Sequence, residues 1–189
     1  MSVFEARHGR ITGRGQRSVI LSHGFGSDQT SFDLIRPWLD DRFRTVSFDL
    51  AGAGPDGAAS FDPRRHGSLF GYADDLLAIV DELDLGGALY IGHSVSGMIG
   101  TAAAVARPDV FGKLVMIGAS ARYRNDTDYH GGFEDPALEG LFAAMASNFQ
   151  SWGAGFAPTV VGAADEGAIR EFSRTLSRCV RISRFKWRE

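Results

Sequence analysis

Apolar residues in the first 120 positions fall in short blocks separated by stretches of helical periodicity, the pattern of a parallel sheet wrapped by crossover helices. Ser18 to Leu21 (SVIL) reads as a short buried strand that runs into His23-Gly24-Phe25-Gly26. Thr45 to Leu50 (TVSFDL) reads as a second, closed by a Gly-rich break, AGAGPDGAAS, that has the composition of a loop. Between Tyr72 and Leu85, the residues Leu76, Leu77, Ile79, Val80 and Leu83 recur at helical spacing among Asp74, Asp75, Asp81 and Glu82, so an amphipathic helix is expected. Ala88 to Ile91 (ALYI) follows as a strand and GHSVSG as a sharp turn. Met98 to Ala106 then reads as a small-residue helix able to pack closely on the sheet, with Pro108 just past its end. Lys113 to Ile117 (KLVMI) completes the set as another buried strand.

After Ser120 the rhythm changes. Residues 121 to 136 are polar and Gly-rich, and Pro136 to Leu176 give helical segments with no strand between them, which fits a helical insertion over the sheet. Phe142, Phe149, Trp152, Phe156 and Phe172 make that insertion rich in aromatics, a feature that serves either ordinary helix-to-sheet packing or a ligand cavity.

Composition adds bounds. With 189 residues, 44% of them hydrophobic and 23% charged, the chain is long enough for one globular domain with a real core. A net charge of −3 and a pI near 5.9 provide no broad basic field, which argues against nucleic acid and anionic membrane as partners. The N-terminus has no apolar run of secretory length, and no stretch approaches the roughly 18 apolar residues of a spanning helix, so cytoplasm or nucleus is the expected location. Residues 177 to 189 (SRCVRISRFKWRE) are locally basic, and Cys179 within them reads as an incidental thiol, since no histidine follows it.

Candidate chemistry centres on Gly92-His93-Ser94-Val95-Ser96, which follows a strand and precedes a helix, the context of a nucleophile elbow. Ser96 stands where that motif most often has glycine. The loop His23-Gly24-Phe25-Gly26, placed after an earlier strand, is positioned to supply the other half of an oxyanion hole, with backbone N–H groups from Phe25 and Val95. A serine hydroxyl needs a histidine to take its proton and a carboxylate to orient that histidine, in the chain order Ser, Asp or Glu, His. His130 is the one histidine after Ser94 and lies at the entry to the helical insertion, a poor place for the base; His93 belongs to the elbow, His23 to the oxyanion loop, and His8 and His66 read as surface histidines.

The segments HGFGSDQTSF, YADDLLAIVDEL, GHSVSGMIG, ARPDVFGKLVMIGAS, RYRNDTDYHGGFE, GFAPTVVGA and EFSRTL together resemble the plant strigolactone and karrikin receptor hydrolases: the DWARF type, the KARRIKIN INSENSITIVE type and their DWARF-like paralogues. The likeness covers about residues 17 to 176. Gly97 stands where that family generally has alanine, and Phe32 where it has tryptophan. The resemblance implies an α/β-hydrolase fold with a helical lid insertion, lacking the last strands and helices. Residues 1–120 would form the N-terminal part of the core, 121–176 an incomplete lid, and 177–189 a divergent basic tail. It further implies Ser94 as nucleophile, Phe25 and Val95 as oxyanion donors, and a ligand pocket lined by Phe25, Tyr123, Phe133, Trp152 and Phe156. A butenolide is the implied small-molecule ligand, an F-box protein and repressor proteins are partners of the full-length relatives, and no metal or organic cofactor is implied. The family continues past EFSRTL to the strands bearing the triad Asp and His, so the 189 residues are expected to be inactive. A ligand-binding or partner-competing fragment and an unstable product are the alternatives.

Overall fold

The computed structural model describes residues 1–54, 57–162 and 165–177; Cys179 and the basic tail beyond Ser177 lie outside that set. In chain order the elements are α1 (Val3–Ala6), β1 (Arg10–Thr12), β2 (Arg17–Ser22), a 3₁₀ turn (Gln29–Phe32), α2 (Arg36–Asp40) and β3 (Phe43–Phe48). They continue with α3 (Gly57–Ser60), α4 (Leu69–Glu82), β4 (Ala88–His93), α5 (Val95–Ala106), β5 (Phe111–Ile117), α6 (Asp135–Ser147), α7 (Phe149–Val161) and α8 (Glu166–Leu176).

Among the described residues the strands form one sheet in the order β1-β3-β2-β4-β5. The four strands read from the sequence pair in parallel, while β1 adds antiparallel to β3, with Ile11 opposite Val46. Side chains alternate across the pleat, so β2 feeds both faces at once. Val19 and Leu21 join Phe32 and Ile91 on one side. Ile20 joins Val46, Phe48, Leu76, Ile79, Tyr90 and Ile99 on the other, beneath α4 and α5. Burial on both faces explains why these strands read as continuous apolar runs. The outermost strand is different: Met116 is 53% exposed and Val115 and Ile117 are also partly open, so the run KLVMI, read as buried, presents an apolar face to solvent.

Two local features refine the sequence reading. Helix α5 starts at Val95, three residues earlier than the small-residue pattern marked, because Ser94 itself is its N-cap. His66, read as a surface histidine, is buried. Its Nδ1 accepts the Asp62 N–H at 3.0 Å, so the proton sits on Nε2, which donates to Asp75 Oδ2 at 3.1 Å. Arg7 Nε donates to the same carboxylate at 3.0 Å and Arg7 Nη1 donates to Ser60 O at 2.8 Å. Burial alone would raise the Asp75 pKa, but the hydrogen bond from His66 and the charge and hydrogen bonds of Arg7 hold it below the usual carboxylate value. This cluster ties α1, the loop before α4 and α4 itself together.

The seam between α5 and the sheet is tight. A Cβ at Gly100 would lie 2.3 Å from Tyr90 Cε1 and 2.9 Å from Leu114 Cδ1, and the Tyr90 ring has no exposed surface into which to move. Replacing a helical glycine by alanine gains about 1 kcal/mol of propensity, whereas overpacking a filled core costs about 1–3 kcal/mol. Gly100→Ala is therefore expected to destabilise the fold despite the better helix former, with Tm lower by about 2–4 °C for each kcal/mol lost. An unchanged or raised Tm in a thermal melt would show that the seam has slack.

Candidate active site

Parallel pairing of β2 with β4 sets Ser22 opposite Gly92, so the chain leaves the sheet at the same level twice, side by side. Ligands of open α/β sheets bind outside the carboxyl ends of the strands, where connections run to opposite sides. Here β2 lies between β3 and β4, and the loop after β2 meets the turn after β4 at such a point.

Ser94 occupies that turn with φ 55° and ψ −123°, a conformation that costs a non-glycine residue roughly 1–3 kcal/mol. Neighbouring hydrogen bonds enforce it. The Ser94 N–H donates to Ile117 O at 2.7 Å, fastening the turn to the end of β5, and the Gly97 N–H donates to Ser94 O at 2.9 Å as α5 begins. Room for the turn requires glycine at 92, where a Cβ would come within 2.5 Å of Ser96 O. The result is a partly exposed Ser94 at the head of a twelve-residue helix whose first N–H groups have no intrahelical acceptor. Val95 is the first of these, so its donor faces an anion-favouring helix terminus.

The loop after β2 is built as carefully. His23 is fully buried, its Nε2 accepts the Leu50 N–H at 2.9 Å, and its Nδ1–H therefore donates to Gly24 O at 2.9 Å. Gly24 O also accepts from Ser27 Oγ at 3.0 Å and from the Ser27 N–H at 3.3 Å. Three donors on one carbonyl fix the Gly24–Phe25 peptide, and in a trans peptide the N–H of Phe25 points opposite to that carbonyl. Gly24 also lies against the elbow, since a Cβ there would sit 2.6 Å from His93 Nδ1 and 3.0 Å from Ser94 Cβ. Burial lowers the pKa of His23, against the raising influence of Gly24 O and Asp49, and burial lowers that of His93 as well.

Three of the five residues assigned to the pocket by resemblance come together. The Phe25 ring lies 6.3 Å from that of Trp152, which stacks on Phe156 at 4.5 Å and meets Phe149 at 5.5 Å. Tyr123 and Phe133 stand on a separate loop, joined by the Phe133 N–H to Tyr123 O bond at 3.0 Å, and both residues are more than a third exposed. Helix α8 closes on the same loop: Thr175 Oγ1 donates to Gly26 O at 3.0 Å, and Leu176 packs where a Cβ on Gly26 would lie. A groove of about 220 Å³ runs between α7 and α8, lined by Phe149, Gly153 and Leu176 and not by Ser94. His130 is exposed on that loop, and among the described residues Ser94 Oγ has no side-chain hydrogen bond.

This fold, with a strained serine between β4 and α5, defines an α/β hydrolase, and residues 17–158 match the family of the alpha/beta hydrolase fold. The chain belongs to that family. Within it, the chain resembles the karrikin and strigolactone receptors of plants. It is 50% identical over 175 residues to a karrikin insensitive 2 receptor of Petunia hybrida and 48% identical over 175 residues to the strigolactone esterase D14 of Arabidopsis thaliana. These alignments cover 92% and 93% of this chain but only 65% and 66% of those proteins, so the chain spans about two thirds of their length. A solved hydrolase from Oleispira antarctica superposes with a TM-score of 0.91 at 36% identity, covering 97% of this chain and 68% of that one.

The lowered pKa values of His23 and His93 carry a pH dependence. With folded pKa values below the ordinary 6.5, they stay neutral while the unfolded chain takes up protons, so stability falls as pH drops below about 6.5. The Asp75 contribution is lost only further down, below about pH 3.9. Urea midpoints measured at about pH 7.5 and about pH 5.5 are expected to fall with acidification, with a smaller fall in His23→Gln. A ring-proton titration placing His23 above its ordinary value would contradict this.

Proposed function

We propose that this chain carries the nucleophile and oxyanion-hole half of a serine hydrolase of the butenolide-receptor kind. The observation that carries the reading is Ser94 at φ 55°, ψ −123°, held between β4 and α5 beside a loop whose peptide plane is fixed. In this reading Ser94 Oγ adds to the lactone carbonyl and its proton passes to a base. The carbonyl oxygen takes the negative charge between the Phe25 and Val95 N–H groups, and collapse of the tetrahedral species breaks the ring C–O bond. Donors fixed in place before reaction supply the largest part of such catalysis, about 10²–10³ in rate for a single donor. Phe25, Trp152 and Phe156 bury the ligand, with Tyr123 and Phe133 as an outer wall. By the same likeness, an F-box protein and repressor proteins are the macromolecular partners of the longer relatives.

A second reading, ligand binding without turnover by these 189 residues, is favoured by the histidines. His23 has both ring nitrogens engaged, His93 packs on Gly24, and His130 is exposed on the loop before α6. None holds Ser94 Oγ, and a serine hydrolase stripped of triad members loses on the order of 10⁴–10⁶ in rate.

The 189-residue polypeptide is therefore expected to cleave a fluorogenic butenolide on the order of 10⁴-fold or more slowly than a full-length relative. Quenching of Trp152 fluorescence should still report binding, unchanged in Ser94→Ala and absent in Trp152→Phe. Turnover at the relative's rate, abolished by Ser94→Ala, would overturn the second reading and make His130 the base to test. Absence of butenolide binding would overturn the ligand assignment.

A further inference from the structure

We infer that Ser96 is a positioning residue whose hydroxyl fastens the oxyanion loop to the nucleophile elbow. The inference rests on the reading of Ser94 as nucleophile and adds a role for a residue outside the reacting set.

The elbow motif favours glycine two residues after the nucleophile because the turn is crowded. Crowding is present here, with Ser96 O against Gly92. Yet the chain places a serine there with no solvent exposure. A buried hydroxyl must find partners, and this one does so across the two loops. Ser96 Oγ donates to His23 O at 2.6 Å and accepts from Ser22 Oγ at 2.9 Å, while Ser96 O accepts from Tyr90 Oη at 2.8 Å. The first of these bonds spans 73 positions of sequence and joins the elbow directly to the loop.

Its target matters. His23 O and Gly24 O are the two successive carbonyls that precede the Phe25 N–H. Gly24 O is held from within the loop, by the His23 ring and Ser27. His23 O is held from the elbow, by Ser96 alone among the described side chains. The loop is thus internally rigid, and Ser96 sets where that rigid unit stands relative to Val95. Glycine or alanine at 96 would leave the loop shaped correctly but free to shift against the second donor, and a misplacement of about 1 Å can cost on the order of 10² in rate.

The test uses the 189-residue chain and an alkyl fluorophosphonate, which forms an Oγ–P bond at Ser94, expels fluoride and leaves the hydroxyl proton to the buffer. The product places a phosphoryl oxygen where the oxyanion would stand. Labelling is followed by intact mass well below the melting temperature. Ser96→Ala and Ser96→Gly are expected to slow labelling about 10- to 100-fold while leaving butenolide quenching of Trp152 unchanged. Ser22→Ala, which spares the Ser96–His23 bond, should lose less. In parallel, the Gly24 and Phe25 amide resonances should shift or double in Ser96→Ala. If Ser96→Ala labels as fast as the wild type, the inference is wrong and the nucleophile reading stands. If the wild type itself does not label, the amide resonances decide the positioning role: unmoved single peaks overturn it.

Discussion

Because β2 and β4 hydrogen-bond in parallel with Ser22 opposite Gly92, two segments some seventy residues apart in sequence end at one level of the sheet. Every feature of the site depends on that register. A slip of one residue would turn Val19 and Leu21 from one core to the other and carry the loop out of reach of the elbow. Both faces of β2 are filled, by Phe32 and Ile91 on one side and by Val46 and Tyr90 on the other, so such a slip would strip two cores at once. Hydrophobic burial thus fixes the register, and the register places the polar groups.

Within that frame the strain at Ser94 is local and well opposed. Its cost of roughly 1–3 kcal/mol is set against two backbone hydrogen bonds, each worth about 1 kcal/mol net, and against the unfavourable act of starting α5 anywhere else once Gly97 and Gly100 are wedged against Met116 and Tyr90. The helix cannot begin later without withdrawing Ile99 and Ala103 from the core. The strained turn is therefore a consequence of close packing on either side of it.

Much of this was legible in the sequence. Strands β2, β3 and β4 and the amphipathic α4 appear as periodic apolar patterns because burial writes them there. Strand β1 does not, since Arg10-Ile11-Thr12 has no apolar block and is held by pairing with β3 alone. Nor does the burial of His66, which is flanked by Arg65 and Gly67 and becomes interior only because Arg7 and Asp75 arrive from distant positions. Ser94 and the HGFG loop were legible as motifs, and the register of β2 with β4 sets them side by side. The candidate pocket was legible in composition but less so in arrangement: Phe25, Trp152 and Phe156 meet through packing of α7 on the loop, whereas Tyr123 and Phe133 ride on a loop closed by its own backbone bonds. Ser96 announced itself only as a departure from glycine.

The fastening of the Ser94 N–H to Ile117 O bears on the order in which the protein is made. Every group that holds Ser94 in its strained backbone, from Gly24 and Gly92 through Ser96 and Gly97 to Ile117, precedes residue 118, while the aromatic rings of α7 come later. Chains emerge from the ribosome N-terminus first and tend to fold in that direction. A nascent chain would complete the strained Ser94 turn and the loop after β2 before α7 exists, so the candidate site is born uncovered and the aromatic rings beside it are added afterwards.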